Sequence, residues 1–243
     1  MSKQKKQVFL LPFAGGSSYS FNYLRDLLSG DFDFITLELP GRGKRNSERL
    51  LKSKKEAIQD YVAQVLNKRN DCDYLIYGHS MGAILGLTVA SYMSNRLDPP
   101  IALIVSGNSG PKEKGGDDAT PKYLLDDLRF KKELIKLGGI PTDFLENLEF
   151  YKYFEPILRA DFCILETNDL PENDIILDIP IYAIMGDLED HVDEIINWND
   201  HTSADFEHEV WKGNHFFIQE HPKRLCEMIN KVFKINRRCK TSL

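Results

Sequence analysis

The sequence predicts an α/β domain built on a mostly parallel, doubly wound sheet, and three observations carry that expectation. Short apolar, β-rich runs recur along the 243-residue chain. Segments with helical spacing of apolar residues separate them. Most of the runs are also near-continuous in apolar character rather than alternating, as strands covered by helices on both faces require. Regular alternation of the two kinds of element selects this architecture over segregated strands and helices.

In chain order, the expected strands are 8–12 (VFLLP), 33–39 (DFITLEL), 73–77 (DYLIY), 101–106 (IALIVS), 180–185 (PIYAIM) and 207–211 (EHEVW). Helices are expected over 20–29, 53–69, 82–96 and 221–235. One region breaks the alternation. Residues 107–122 (GNSGPKEKGGDDATPK) read as an exposed loop, and 123–169 as several short helical pieces interrupted at Gly138-Gly139, Pro141 and Pro156. A helical insertion at the strand ends of an α/β sheet is placed to cover a binding site. The chain is therefore expected to form one domain over 1–243, with 107–169 as loop plus helical lid.

Composition narrows the function. Hydrophobic residues make up 42% and charged residues 28%, an ordinary globular balance with enough apolar material for a sizeable core. A net charge of −6 with interspersed signs argues against nucleic acid as the main partner. The basic N-terminal lead meets glycines too soon for a signal-peptide core, and nothing approaches the roughly 18 apolar residues of a membrane span. Cys72, Cys163, Cys226 and Cys239 show no paired spacing, which favours a reducing, cytoplasmic setting. Chain length favours a monomer.

The chemistry centres on Gly78-His79-Ser80-Met81-Gly82, between the strand DYLIY and the helical run AILGLTVASYM. This is G-x-S-x-G in the strand–turn–helix setting that exposes a serine nucleophile. The helix beginning just beyond Ser80 aims backbone N–H groups at developing negative charge, so the Met81 amide is one candidate oxyanion donor. A second is expected from Leu11-Pro12-Phe13-Ala14-Gly15-Gly16, whose glycines permit a tight turn that presents the amide of Phe13 or Ala14. Serine needs a neighbouring base. Of six histidines, His215 stands just past the final strand in Gly213-Asn214-His215-Phe216-Phe217, the place a Ser…Asp/Glu…His order assigns to the base.

Taken together, "LLPFAGG", "LELPGRGKR", "YGHSMGA", "LGGIPTDFLEN", "FEPILRADF" and "GNHFF" resemble the type II thioesterases, from about residue 8 to 235. These are stand-alone α/β-hydrolases that accompany nonribosomal peptide and polyketide synthetases. P-F-A-G-G, Pro40-Gly41-Arg42-Gly43 and Leu158-Arg159-Ala160-Asp161 are the discriminating parts. The resemblance implies hydrolysis of acyl thioesters from the phosphopantetheine arm of acyl- or peptidyl-carrier protein domains, for editing or product release. It implies a triad of Ser80, His215 and an acid after strand 180–185, and no cofactor beyond the arm carried by the substrate.

That acid lies in Met185-Gly186-Asp187-Leu188-Glu189-Asp190-His191-Val192. The family pattern resembles G-x-x-D-x-x-V, and counting from Gly186 lands on Glu189. Asp190 has the usual residue type one place later, so both stay open as the triad acid. Asp187, nearest the strand, reads as a turn residue bonding backbone amides. The cluster lacks EF-hand spacing, so no metal is expected. For a carrier partner, Arg42, Lys44 and Arg45 form a candidate basic docking patch. The alternatives are a carboxylester hydrolase acting on free small esters, and a catalytically silent carrier-binding module.

Overall fold

The computed structural model describes residues 4–25, 27, 30, 32–111, 120–138, 145–167, 170 and 172–236. Each predicted apolar run forms a strand: β1 (Lys6–Leu11), β2 (Phe32–Thr36), β3 (Tyr74–His79), β4 (Leu103–Ser106), β5 (Ile181–Gly186) and β6 (Phe206–Trp211). They pair in the order β2-β1-β3-β4-β5-β6, and every neighbouring pair is parallel. The chain steps from β1 outward to β2, then returns to the other side of β1 as β3. Above β1 and β3 the connections diverge, and a crevice opens at their carboxyl ends.

The predicted helices form as α1 (Asn22–Arg25), α2 (Lys54–Lys68) and α3 (Met81–Ser94), with a C-terminal helix over Pro222–Ile235. Ser53 caps α2 by accepting from the Glu56 N–H, the start of a capping-box sequence. The apolar character of the strands has a simple cause. Phe9, Leu11, Ile76, Leu103, Val105 and Ala183 pack on one face with α2 and α3. Their neighbours Val8, Leu10, Leu75, Tyr77, Ile104 and Ile184 pack on the other with Leu24 of α1 and Leu225, Ile229 and Phe233 of the C-terminal helix. In β1, β3, β4 and β5 both faces are dry, which leaves little room for polar side chains at either position of the period-two repeat. The edge strands β2 and β6 are partly exposed, and β6 carries Glu207, His208 and Glu209.

The insertion between β4 and β5 contributes α4 (Asp127–Leu137) and α5 (Leu148–Glu166); the C-terminal helix Pro222–Ile235 is α6. It has its own small core of Phe130, Leu134, Leu145, Tyr151, Leu158 and Phe162. Two expectations change here. Pro156 does not interrupt the helix, because α5 runs unbroken across it. Pro156 and Lys152 are both exposed, so water can satisfy the Lys152 carbonyl that the proline leaves without a donor. The segment beginning at 107 is also less exposed than expected at its start. Gly107 and Gly110 are buried, and the Asn108 carbonyl accepts the Trp198 indole N–H at 2.8 Å. Residues 112–119, Gly139 and Pro141 lie outside the described residues. No helix among the described residues is long and apolar enough to cross a membrane.

Candidate active site

Ser80 sits between the end of β3 and the start of α3 with φ 56° and ψ −113°. A non-glycine residue there stores roughly 1–3 kcal/mol of strain and persists only where the surroundings over-determine it. The surroundings do so. A Cβ on Gly78 would lie 2.1 Å from the Gly82 carbonyl oxygen, and one on Gly82 would lie 2.0 Å from that of Leu11. Only glycine lets α3 start this close to β1 and β3. The Ser80 N–H is tied to the Ser106 carbonyl at 2.8 Å, linking the turn to β4. The Ser80 hydroxyl makes no capping bond to α3. Its Oγ instead lies 3.0 Å from Nε2 of His215.

His215 is delivered by the parallel pairing of β5 with β6, which extends beyond the strands. Asp187 N–H donates to the Trp211 carbonyl at 2.7 Å, and Leu188 N–H to that of Gly213 at 3.1 Å. The Asp187 carboxylate accepts the Gly213 N–H at 2.8 Å, the amide-bonding turn role read from the sequence. Glu189 then turns inward. Its Oε2 lies 2.6 Å from Nδ1 of His215, and its Oε1 accepts the Gly186 N–H at 2.8 Å. Asp190, the alternative partner for His215, does not reach it: its side chain is 72% exposed and sits 3.1 Å from Nζ of Lys136 on α4. The backbone decides this. Glu189 N–H closes a turn onto the Gly186 carbonyl at 3.2 Å, so position 189 faces the histidine and position 190 faces out. The extra methylene of glutamate spans the remaining gap. The three acids thus diverge to three separate partners and do not converge on one point.

His79 lies beside His215, with ring centroids 5.1 Å apart. It is fully buried, and its Nδ1 pairs with the Ser106 hydroxyl at 2.8 Å, which also meets the Tyr77 hydroxyl at 2.7 Å. Burial, reinforced by His215, holds His79 well below the ordinary histidine range, so it stays neutral. The other four histidines are engaged elsewhere: His191 with Glu194, His201 with the Ile175 carbonyl, His208 stacked on Phe206, and His221 with the Lys212 carbonyl.

On the opposite side of Ser80, the chain leaving β1 makes a turn closed by Gly16 N–H to the Phe13 carbonyl at 2.8 Å. Gly15 within it has φ +80°, the value the third residue of a type II turn requires. Phe13, Ala14 and Gly15 line the same cavity as Ser80 and His215. The Phe13 ring packs edge-on against Phe216 at 4.9 Å and His79 at 5.8 Å, walling the site.

That cavity has a volume of about 370 Å³. Its far wall comes from α4 and α5, through Leu134, Tyr151, Phe154, Leu158 and Phe162. Sequence reasoning assigned none of these residues to a cavity wall, although 151, 154, 158, 162 and 165 carry the i, i+3/i+4 spacing of one helix face. It also misplaced Arg42. This side chain is not part of a docking patch: Arg42 is 2% exposed and forms a two-pronged pair with the wholly buried Asp161 of α5. Arg45 is likewise engaged, by Glu48 and Asp60 at 2.6 and 2.7 Å. Lys44 remains exposed, its ammonium 5.9 Å from the Tyr19 ring.

A strained serine at a strand–helix turn over a parallel sheet, with a histidine and a carboxylate after the last two strands, defines an α/β-hydrolase. The chain belongs to the thioesterase domain family, whose profile matches residues 6–233, and it is a thioester hydrolase. Among its relatives, the probable anguibactin biosynthesis thioesterase AngT of Vibrio anguillarum is 31% identical over 233 residues, covering 92% of this chain and 90% of AngT. ClbQ from the colibactin NRPS/PKS pathway superposes with a TM-score of 0.86 at 27% identity, over 95% of this chain and 98% of ClbQ. The type II thioesterase BorB from the borrelidin biosynthetic cluster does so with 0.82 at 26%, over 94% and 92%. The type II thioesterase resemblance carried by the motifs is thereby borne out.

Proposed function

We propose that this protein removes acyl groups from the phosphopantetheine arm of acyl- or peptidyl-carrier protein domains of a nonribosomal peptide or polyketide synthetase, for editing or release. One observation carries the mechanism: the continuous chain from Glu189 through His215 to the strained Ser80, opening onto an apolar cavity. In this reading His215 Nε2 takes the Ser80 proton, and Ser80 Oγ attacks the thioester carbonyl. Glu189 holds the Nδ1–H tautomer and stabilises the imidazolium that forms. The tetrahedral oxyanion is held by the amides of Met81 and of Ala14 or Phe13. Collapse expels the pantetheine thiolate, which takes the proton from His215. Water, deprotonated in turn by His215, then hydrolyses the acyl-serine.

The helical insertion within 107–169 acts as the lid over the acyl group, a role supported by the aromatic and leucine side chains that α4 and α5 turn toward Ser80. Their apolar character favours an uncharged acyl group. No cofactor enters this scheme. Cys72 and Cys226 are free thiols, in keeping with a cytoplasmic enzyme. The exposed Lys44 keeps one element of the carrier-docking patch, and the protein works as a monomer.

The test is hydrolysis of acyl-phosphopantetheinyl carrier protein beside a simple nitrophenyl ester. Rapid release from the carrier, lost in Ser80→Ala, is the expected result. Turnover of the free ester alone would instead identify a carboxylester hydrolase. Turnover of neither, with the carrier still bound, would identify a silent module.

A further inference from the structure

Asp161 is wholly buried on α5, inside the insertion, yet its carboxylate serves the loop beside Ser80. Oδ2 accepts the Gly15 N–H at 2.7 Å, and the guanidinium of Arg42 reaches Oδ1 at 2.7 Å and also bonds Oδ2. Gly15 N–H belongs to the central peptide of the Phe13–Gly16 turn. That peptide is the one whose 180° flip converts a type II turn into a type I turn. In the flipped form the N–H would leave Asp161, and a carbonyl oxygen would face a buried carboxylate. The neighbouring amides of Phe13 and Ala14 make no hydrogen bond among the described residues. The Ala14 N–H shares its peptide with the Phe13 carbonyl that Gly16 bonds, so its direction is set by that turn, and Asp161 holds the turn through Gly15.

Leu158, one turn earlier on the same face of α5, closes the arrangement from above. A Cβ on Gly15 would lie 2.7 Å from Leu158 Cδ2. Burial works against the Arg42 charge, but the Asp161 charge and hydrogen bonds outweigh it, and Arg42 stays protonated with its affinity for the proton raised. The pair thus joins three segments far apart in sequence: the loop after β1, the Pro40-Gly41-Arg42-Gly43 loop and α5.

We propose that Asp161, oriented by Arg42, is a positioning residue of the reaction, holding the Phe13–Gly16 turn so that its amide faces the oxyanion. This rests on the Ser80 mechanism above. A helix of the insertion then does more than bound the acyl group, because it fixes one donor of the oxyanion hole.

Asp161→Asn keeps the shape but sets an amide NH₂ against either Arg42 or the Gly15 N–H, so one donor loses its acceptor. The expected result is a fall in kcat of roughly 10²-fold, the scale of one lost oxyanion donor, with KM within about 3-fold. A boronic acid that forms a tetrahedral adduct on Ser80 should lose affinity by a similar factor. The volume-matched double variant Arg42→Met/Asp161→Leu provides a second reading that does not leave a buried charge alone. Folded, with an unchanged Tm and kcat again down roughly 10²-fold, it supports positioning. Full kcat in either folded variant, or a loss that appears wholly in KM, overturns the proposal. Ser80→Ala separates the two levels. If it stays active the underlying mechanism falls, whereas if it is inactive while Asp161→Asn is fully active, only the role of Asp161 falls.

Discussion

The loops above the sheet and the helices of the insertion meet across one cavity, but they are held by different forces. Ser80, Glu189 and His215 sit on connections tied by backbone hydrogen bonds to β4, β5 and β6, each of 3.2 Å or less. The insertion wall is held mainly by its own apolar core, with Leu158 and Asp161 as its contacts to the Phe13–Gly16 turn. Hydrogen bonds are directional and fix atoms to fractions of an ångström, which bond-making needs. Apolar contacts are non-directional and tolerate changes of shape, which suits recognition of an acyl group. In the proposed mechanism chemistry is thus built on the stiff side and selectivity on the adaptable side, with Asp161 of the insertion as a directional link between them.

Substitutions on the two sides should separate in kind as well as size. Ser80→Ala should cost the most, about 10⁴-fold or more in kcat/KM for a carrier-bound thioester, with thermal stability little changed because alanine keeps the Cβ that strains this position. Glu189→Gln should lower kcat by about 10³- to 10⁴-fold by losing the tautomer and the imidazolium partner, and Asp190→Asn should stay within about 2-fold. Steady-state kinetics of that pair measure how sharply the loop distinguishes adjacent carboxylates. Equal losses in the two would break the assignment of position 189.

Across the cavity, Phe154→Ala should act mainly through KM. A lost aromatic contact of about 1–2 kcal/mol corresponds to roughly 10-fold weaker use of long apolar acyl groups, with short acyl groups little affected. A large drop in kcat for every acyl length would show the two sides to be less separable than their contacts suggest. The smallest effect is expected from a chelator: dialysis against EDTA should leave the rate unchanged, since in the proposed mechanism every step is carried by side chains and amides.

Much of this was legible in the sequence. The four inner strands followed from apolar runs, because a strand covered on both faces has little place for polar residues, and the edge strands and the four flanking helices followed from the alternation of elements. Ser80 was legible because only glycines fit at 78 and 82, and His215 because it follows the last strand. The acid was narrowed to Glu189 or Asp190 and no further. Its choice turned on the Glu189–Gly186 backbone bond that aims position 189 inward, an interaction that residue type does not encode.

Arg42 shows the same limit more sharply. Among Lys44 and Arg45 in a polar loop, it reads as a surface charge. Its partner Asp161 lies 119 positions away on a helix whose packing a linear pattern does not record. The sequence by itself determined the sheet, the glycine-flanked turn at Ser80 and the place of His215 after the last strand, because local sterics and the burial of apolar faces act along the chain. Which carboxylate meets His215, what walls the cavity and what pins the turn beside Ser80 were decided only when distant segments packed, because hydrogen-bond partners and buried charges are chosen by proximity in space.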